Sequence, residues 1–219
     1  MIESATGVVL RTRPFAETSI IVQWLTADLG RMSTIAKGAH RNKSPFRGKI
    51  DLFFLADFSF NRSRRSELHT LTEISVRETH NELRHDLGYL RQAAYCANLI
   101  ERATETQTPL SAVYLLFVEL LRTLPRRPCQ QQTIVAFELK LLDELGLTPD
   151  LSKSRLSVET RRVAIKLIES EWTASMELQP PELALTELEQ FLHGFLIFQF
   201  GKLPHNRARA LHCSEREAE

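Results

Sequence analysis

The 219-residue sequence predicts an α+β fold in two parts: a small β-barrel over residues 1–78 and an all-α domain over 79–211, followed by a polar tail over 212–219. Three observations carry this. Apolar residues recur at period two as far as Val76, and from His80 onward they recur at helical spacing. The charge balance changes at the same place. Residues 1–77 hold 12 Lys/Arg against 7 Asp/Glu, whereas residues 78–219 hold 16 against 20, so the formal +1 of the whole chain is an average over two unlike parts.

Five strands are predicted in the first part. Thr6–Arg13 alternates Val8 and Leu10 against Val9, Arg11 and Arg13, and Thr18–Thr26 sets Ile20, Val22 and Trp24 opposite Ile21, Gln23 and Leu25. Arg31–Lys37, Leu52–Phe60 and Leu68–Val76 continue the pattern. Turn chemistry separates them at Arg13-Pro14, Asp28-Leu29-Gly30, Gly38–Lys49 and Asn61–Ser66. Closing five short strands into a barrel removes exposed edges. Their number and size fit an OB-type barrel, and periodicity admits an SH3-like one as well. Trp24, Phe54, Phe58 and Phe60 are expected to fill its core.

The second part reads as a helical bundle. Tyr89, Ala93, Cys96, Ile100 and Ala103 form one apolar stripe. Leu110–Leu124 is apolar on most sides and is expected to be the buried central helix. Ile134, Phe137, Leu141 and Leu145 form a stripe ending at Gly146, a natural residue just past a helix end. Val158–Trp172 is amphipathic. Thr186-Glu187-Leu188-Glu189 has the form of a capping box opening a helix that carries Leu188, Phe191, Phe195 and Phe198 on one face and closes at Gly201.

Composition bounds the function. Hydrophobic residues at 43% and charged residues at 25% exclude a disordered chain. The apolar runs Val113–Val118 and Phe195–Phe198 fall far short of the roughly 20 residues that cross a bilayer. Met1-Ile2-Glu3-Ser4 lacks the charged and apolar regions of a signal peptide. Cys96, Cys129 and Cys213 stand alone in sequence, which fits a reducing, cytoplasmic setting. The sequence holds no Gly-rich phosphate loop, nucleophile elbow, paired-His zinc motif or zinc-spaced Cys pair. Neither enzymatic activity nor a cofactor is expected.

The segment Lys37-Gly38-Ala39-His40-Arg41-Asn42-Lys43-Ser44-Pro45-Phe46-Arg47-Gly48-Lys49 stands out. It sets five cations (Lys37, Arg41, Lys43, Arg47, Lys49) within 13 residues, with glycines that admit close backbone approach and Phe46 as an aromatic able to stack on a base. Such a loop suits a phosphate backbone, because each neutralised phosphate releases counterions. A second cluster, Arg62-Ser63-Arg64-Arg65, sits between the last two strands. In an OB-type barrel such loops line the nucleic-acid groove.

Arg13-Pro14-Phe15-Ala16-Glu17-Thr18-Ser19, then Thr26-Ala27-Asp28-Leu29-Gly30-Arg31, then Ala36-Lys37-Gly38-Ala39 with its basic continuation, resembles the N-terminal domain of the RecO family of bacterial recombinational repair mediators. Phe137-Glu138-Leu139 with Leu145-Gly146, and Gly201-Lys202-Leu203-Pro204, extend the likeness. The resemblance implies an N-terminal OB-fold and a C-terminal helical domain. It also implies a protein that binds single- and double-stranded DNA, anneals complementary strands, acts with RecR, and binds the C-terminal tail of single-strand binding protein so that recombinase is loaded onto coated strands. Such a protein would be cytoplasmic and nucleoid-associated. By resemblance, Lys37, Arg41, Lys43 and Lys49 become DNA contacts, with Arg11, Arg31, Arg62, Arg64 and Arg65 beside them.

The chain departs from the family at one place. Many members carry a four-cysteine zinc site after the Leu-Gly turn, but Leu147–Arg155 contains no cysteine, so no zinc is expected. An acidic, Phe-ended tail needs an apolar pocket rimmed by cations, for which Arg122 and Lys202 are the candidates. The alternative reading is a protein–protein adaptor whose OB- or SH3-like barrel is a docking module with little DNA affinity.

Overall fold

The computed structural model describes residues 2–212. It divides into two compact units, Met1–Asn81 with Thr104–Val118, and Glu82–Ala103 with Glu119–Glu219. Apart from His212, the polar tail expected over 212–219 lies outside the described residues.

The first unit is built on five strands: β1 (Ile2–Ala16), β2 (Ser19–Thr26), β3 (Gly30–Ala36), β4 (Leu55–Asn61) and β5 (Leu68–Glu78). They close into a barrel in the order β1-β2-β3-β5-β4, with β3 and β5 parallel and the other pairs antiparallel. This is the OB topology, which resolves the choice against an SH3-like barrel. Closure depends on β1, whose first half pairs with β4 (Ile2↔Asn61 to Val8↔Leu55) and whose second half pairs with β2 (Gly7↔Thr26 to Ala16↔Ser19). A bulge between Val9 and Arg11 lies where the strand passes from one partner to the other, and a second, between Pro14 and Ala16, distorts its end against β2. β1 thus runs three residues past the turn expected at Arg13-Pro14, because a proline at an irregularity forfeits no ladder hydrogen bond.

Inward residues pack as expected. Trp24 and Phe60 are fully buried and Phe58 is 2% exposed; Trp24 stacks on Phe58 with ring centroids 4.1 Å apart, and its Nε1 donates to Thr34 Oγ1 at 2.8 Å. Phe54 joins the same cluster.

Residues 104–118 belong to the barrel unit rather than to the helices around them in sequence. Gln107 N–H donates to the Arg31 carbonyl at 2.9 Å and Leu110 N–H to the Ala27 carbonyl at 3.1 Å. Phe117 meets Phe53 edge-on at 6.3 Å. The approach is so close that a Cβ on Gly30, whose φ is +64°, would stand 1.8 Å from the Thr108 carbonyl oxygen. Only glycine fits there.

The second unit holds α1 (Leu87–Ala103), the end of α2 (Ser111–Thr123), α3 (Gln131–Glu144), α4 (Val158–Glu169), α5 (Trp172–Glu177), α6 (Glu182–Phe200) and α7 (Arg207–Leu211). Its centre is α3, which packs against α1, α4, α5, α6 and α7 and is buried without interruption from Gln132 to Leu142. This corrects the expectation that Leu110–Leu124 would be central: Ser111, Ala112 and Leu115 of α2 are exposed. Hydrophobicity misleads here because α3 carries Gln132, Glu138 and Lys140, each held inside by a specific partner. Gln132 Nε2 donates to the Ser175 carbonyl at 2.6 Å. Lys140 Nζ donates to the carbonyls of Ile168, at 3.0 Å, and Ser170, closing the C-terminal end of α4. Glu138, fully buried, takes a bidentate pair from Arg207 at 2.7 and 2.8 Å and a hydrogen bond from Tyr95 Oη at 2.5 Å. Burial, then the Glu138 charge, push the Tyr95 hydroxyl well above its ordinary pKa and keep it a donor.

Two helix boundaries differ from expectation. α6 starts at Glu182, so Thr186 lies inside it, its hydroxyl donating to the Glu182 carbonyl at 3.1 Å, and is no cap. Its buried face is Ala184, Leu188, Leu192 and Leu196, while Phe198 is 82% exposed. α4 ends at Glu169, and Trp172 opens α5. Gly146 and Gly201 terminate α3 and α6 with φ of +68° and +77°, as expected. Cys96 is free and buried. Cys129 is disulfide-bonded, which corrects the expectation that it stands alone; Cys213 lies outside the described residues.

Removing Arg207 would strand the Glu138 carboxylate in the core. Arg207→Ala is expected to cost about 3–5 kcal/mol, read as a lower denaturant midpoint, and the paired change Glu138→Leu/Arg207→Met less. A loss under about 1 kcal/mol for Arg207→Ala would contradict the role given to this pair.

Candidate nucleic-acid interface

The segment after β3 is a run of tight turns, not a loose loop. Arg41 N–H donates to Gly38, Ser44 to Arg41, Arg47 to Ser44 and Lys49 to Phe46, all at 3.0–3.3 Å. Gly38 and Gly48, with φ of +70° and +71°, let it leave and rejoin the barrel. Two apolar side chains pin it: Ala39 and Phe46, 9% and 7% exposed, belong to the barrel core. Phe46 is therefore an anchor and not the base-stacking aromatic expected from sequence. The segment is also tied to the β1–β2 turn, through His40 N–H to the Thr18 carbonyl at 3.0 Å and Gly38 N–H to Ser19 Oγ at 3.4 Å.

Pinning Phe46 inward turns the cations outward. Lys37, Arg41, Lys43, Arg47 and Lys49 are all exposed, and none of them is paired with a carboxylate among the described residues. Arg47 Nη1 donates to the Asn42 carbonyl at 3.3 Å, which steadies that side chain without neutralising it. A cavity of about 370 Å³ opens beside Phe46 and Lys49, but Asp57 and Glu73 on its wall make it a poor phosphate site.

The other candidates divide. Arg31 is withdrawn from the DNA-contact set: its Nε donates to Thr104 Oγ1 at 2.8 Å and its Nη2 to the Thr104 carbonyl at 2.5 Å, so it clamps the 104–118 segment to β3. Arg62 is withdrawn too. It forms a bidentate pair with Glu3 at 2.7 and 2.8 Å and lies over the Phe60 ring at 5.8 Å. That hydrogen-bonded guanidinium holds the Glu3 carboxyl below the usual carboxylate range. Arg64 and Arg65 are exposed. Their loop is fixed by Ser63, whose N–H donates to Nδ1 of buried His69 at 3.2 Å and whose Oγ accepts from Arg65 and Ser66. Burial, then the Arg62 charge, lower the His69 pKa and keep that nitrogen an acceptor.

β3 is parallel to β5, and β5 is antiparallel to β4, so the loops after β3 and after β4 leave opposite ends of the barrel. They do not meet in one groove, unlike the arrangement expected of such loops in an OB-type barrel. Between them runs the outer face of β1, β2, β3 and β5. Cross-strand partners share a face, giving one rung of Arg11, Gln23, Ser33 and Leu68 and a second of Arg13, Ile21, Ile35 and Thr70. Arg11 is half-buried and Arg13 exposed. Arg13 was not among the sequence-derived contacts, nor was Phe15, which is 57% exposed at the Pro14/Ala16 bulge. Arg13 already shared a face with Arg11 in the period-two count of β1, and extending that count past Pro14 would have added Phe15.

In the helical unit, Arg122 is exposed in the last turn of α2. Lys202 is exposed just past Gly201, one turn beyond the exposed Ile197 and Phe198. The segment over which the family resemblance raised a zinc site is a capped turn: Asp150 accepts from Ser152 N–H and Oγ at 3.1 and 2.5 Å and pairs with Lys153 at 2.9 Å. The serine hydrogen bonds, then Lys153, lower its pKa to about 2. Asp150 is the segment's one carboxylate and is already engaged, so these residues do not fit a zinc ion. No cluster of three metal-ligating side chains occurs among the described residues, and no described helix is long and apolar enough to cross a membrane.

Comparison with known proteins gives matches over both units. The family model described as "Recombination protein O N terminal" matches residues 1–80, and that described as "Recombination protein O C terminal" matches residues 84–203. The DNA repair protein RecO of Alkaliphilus metalliredigens is 33% identical over 153 residues, covering 69% of this chain and 61% of the relative. That of Listeria monocytogenes is 30% identical over 158 residues, 72% and 61% of the two chains. That of Anaeromyxobacter sp. (strain K) is 34% identical over 146 residues, 67% and 58%. The chain thus spans about three-fifths of the length of the curated relatives it matches.

Phe46→Ala should release the basic segment while leaving its charges in place. The expected loss is about 3–5 kcal/mol of stability, with trypsin cutting first after Arg41, Lys43 or Arg47. First cuts elsewhere in the chain would show that Phe46 is not what orders the segment.

Proposed function

The chain belongs to the recombination protein O family, and on that premise we propose that it is a DNA-binding recombination mediator acting in repair. The observation that carries this reading is the pinned cationic segment: five exposed Lys and Arg side chains on one barrel end, unpaired with any described carboxylate. Fixed cations of this kind bind a phosphate backbone by releasing its counterions and need no particular base sequence. Lys37, Arg41, Lys43, Arg47 and Lys49 are the proposed contacts, with Arg11 on the adjoining face and Arg64 and Arg65 at the far end.

Binding of both single and double strands follows from a backbone contact, since both present the same phosphates. Annealing follows from charge screening: cations between two strands reduce their repulsion, and base pairing supplies the driving force. No bond is made or broken, so the activity is not enzymatic and uses no cofactor, zinc included. RecR and the C-terminal tail of single-strand binding protein are the proposed protein partners, through which recombinase is loaded onto coated strands. Between Arg122 and Lys202, Lys202 is the better tail contact, because exposed Phe198 and Ile197 lie one turn away and can receive an apolar ring. That same exposed end of α6 is what favours the adaptor reading, in which protein docking is the main activity and DNA affinity is slight.

Arg41→Ala/Lys43→Ala in the full chain separates the two. Residues 1–78 alone would lack the 104–118 segment of the barrel unit. The double variant is expected to weaken binding of single- and double-stranded oligonucleotides alike and to reduce the salt slope on single strands by about 1.4. An unchanged slope favours the adaptor.

A further inference from the structure

We propose that Phe15 is a base-stacking contact that gives this barrel its preference for unpaired strands, an inference that rests on the DNA-binding reading above. Arg11 and Arg13 face outward on β1 opposite Gln23 and Ile21, about 6.7 Å apart, and Phe15 follows at the bulge, without a cross-strand partner. The bulge between Pro14 and Ala16 turns the strand there, and the ring is left 57% exposed. Other aromatics of the barrel, Trp24, Phe46, Phe53, Phe54, Phe58 and Phe60, are 7% exposed or less. Phe15 is the one exposed ring among these, since the six others are in the barrel interior or against it.

Its surroundings identify what it meets. Arg13, the next outward residue on the strand, is exposed. The turn that follows, Glu17-Thr18, is hydrogen-bonded through Thr18 and Ser19 to the start of the cationic segment. The ring is thereby held at the same end of the barrel as Lys37 and Arg41 rather than on a mobile arm. An exposed apolar ring at the barrel end that carries Arg13, Lys37 and Arg41, with Glu17 the one carboxylate in its turn, complements a nucleotide, whose base presents a flat π-face and whose phosphate needs positive charge. In a duplex the base faces are covered by their neighbours, so the ring finds a partner only on an unpaired strand. The cations bind either form; Phe15 discriminates between them. Stacking releases no counterions, so this discrimination is independent of salt.

The test compares the wild-type full chain with Phe15→Ala and Phe15→Tyr, using fluorescein-labelled oligo(dT) and a labelled DNA hairpin at several salt concentrations. Phe15→Ala should bind oligo(dT) about tenfold more weakly, with the hairpin affinity and both salt slopes unchanged. Phe15→Tyr, which keeps the ring, should bind oligo(dT) as the wild type does. Wild-type affinity in Phe15→Ala, or equal losses on oligo(dT) and hairpin, would overturn the inference and leave the DNA-binding reading standing. A wild-type chain that binds neither probe would overturn both.

Discussion

The Phe46 ring in the end of the barrel is the contact on which the cationic surface depends. Five like charges within 13 residues repel one another, and a free loop of that composition would disperse them. Burying one Phe contributes about 1.5–3 kcal/mol, enough to offset that repulsion between exposed charges in water. The successive turns from Gly38 to Lys49 then satisfy the backbone locally, so the side chains alone face solvent. Order and exposure in this segment have one cause.

The barrel supplies a rigid end for that plug because β1 serves two partners. The bulge after Val9 bends it from β4 to β2 and sets Arg11 and Arg13 outward, and the bulge after Pro14 leaves Phe15 exposed. The helical unit solves a different problem. Its central helix buries a carboxylate, a lysine and a glutamine, each matched to a partner on another element, so its packing is specified by polar geometry as much as by apolar area. The barrel spends its cations on the surface; the helical unit pairs its buried ones.

Periodicity was enough to read most of the barrel, because alternation in β2, β3 and β4 reports which side chains face inward; in β5 it fails, since a bulge opposite Ser59 and Phe60 puts Leu71 and Ile74 in the core and leaves Leu68 and Thr70 outward. Turn glycines marked the ends of α3 and α6 for an equally local reason. What the sequence withheld was non-local. Nothing in Thr104–Val118 shows that it packs against β3 and the turn before it instead of continuing a bundle, since periodicity assigns element type and not neighbours. Arg31 and Arg62 looked like surface cations until Thr104 and Glu3, 73 and 59 positions away, were brought beside them. Phe46 looked like a ligand contact because a lone aromatic in a polar stretch carries no periodic signal. The polar residues of α3 concealed the true central helix for the same reason: their partners lie on other elements.

On the proposed reading, the unpaired cations of the segment after β3 meet a phosphate backbone. The salt dependence of wild-type binding to oligo(dT) measures that contact most directly. A linear fall of log affinity with log salt is expected, with a slope between about −2 and −3.5, as three to five neutralised phosphates require. A slope near zero would mean that no counterions are released, and would contradict that reading.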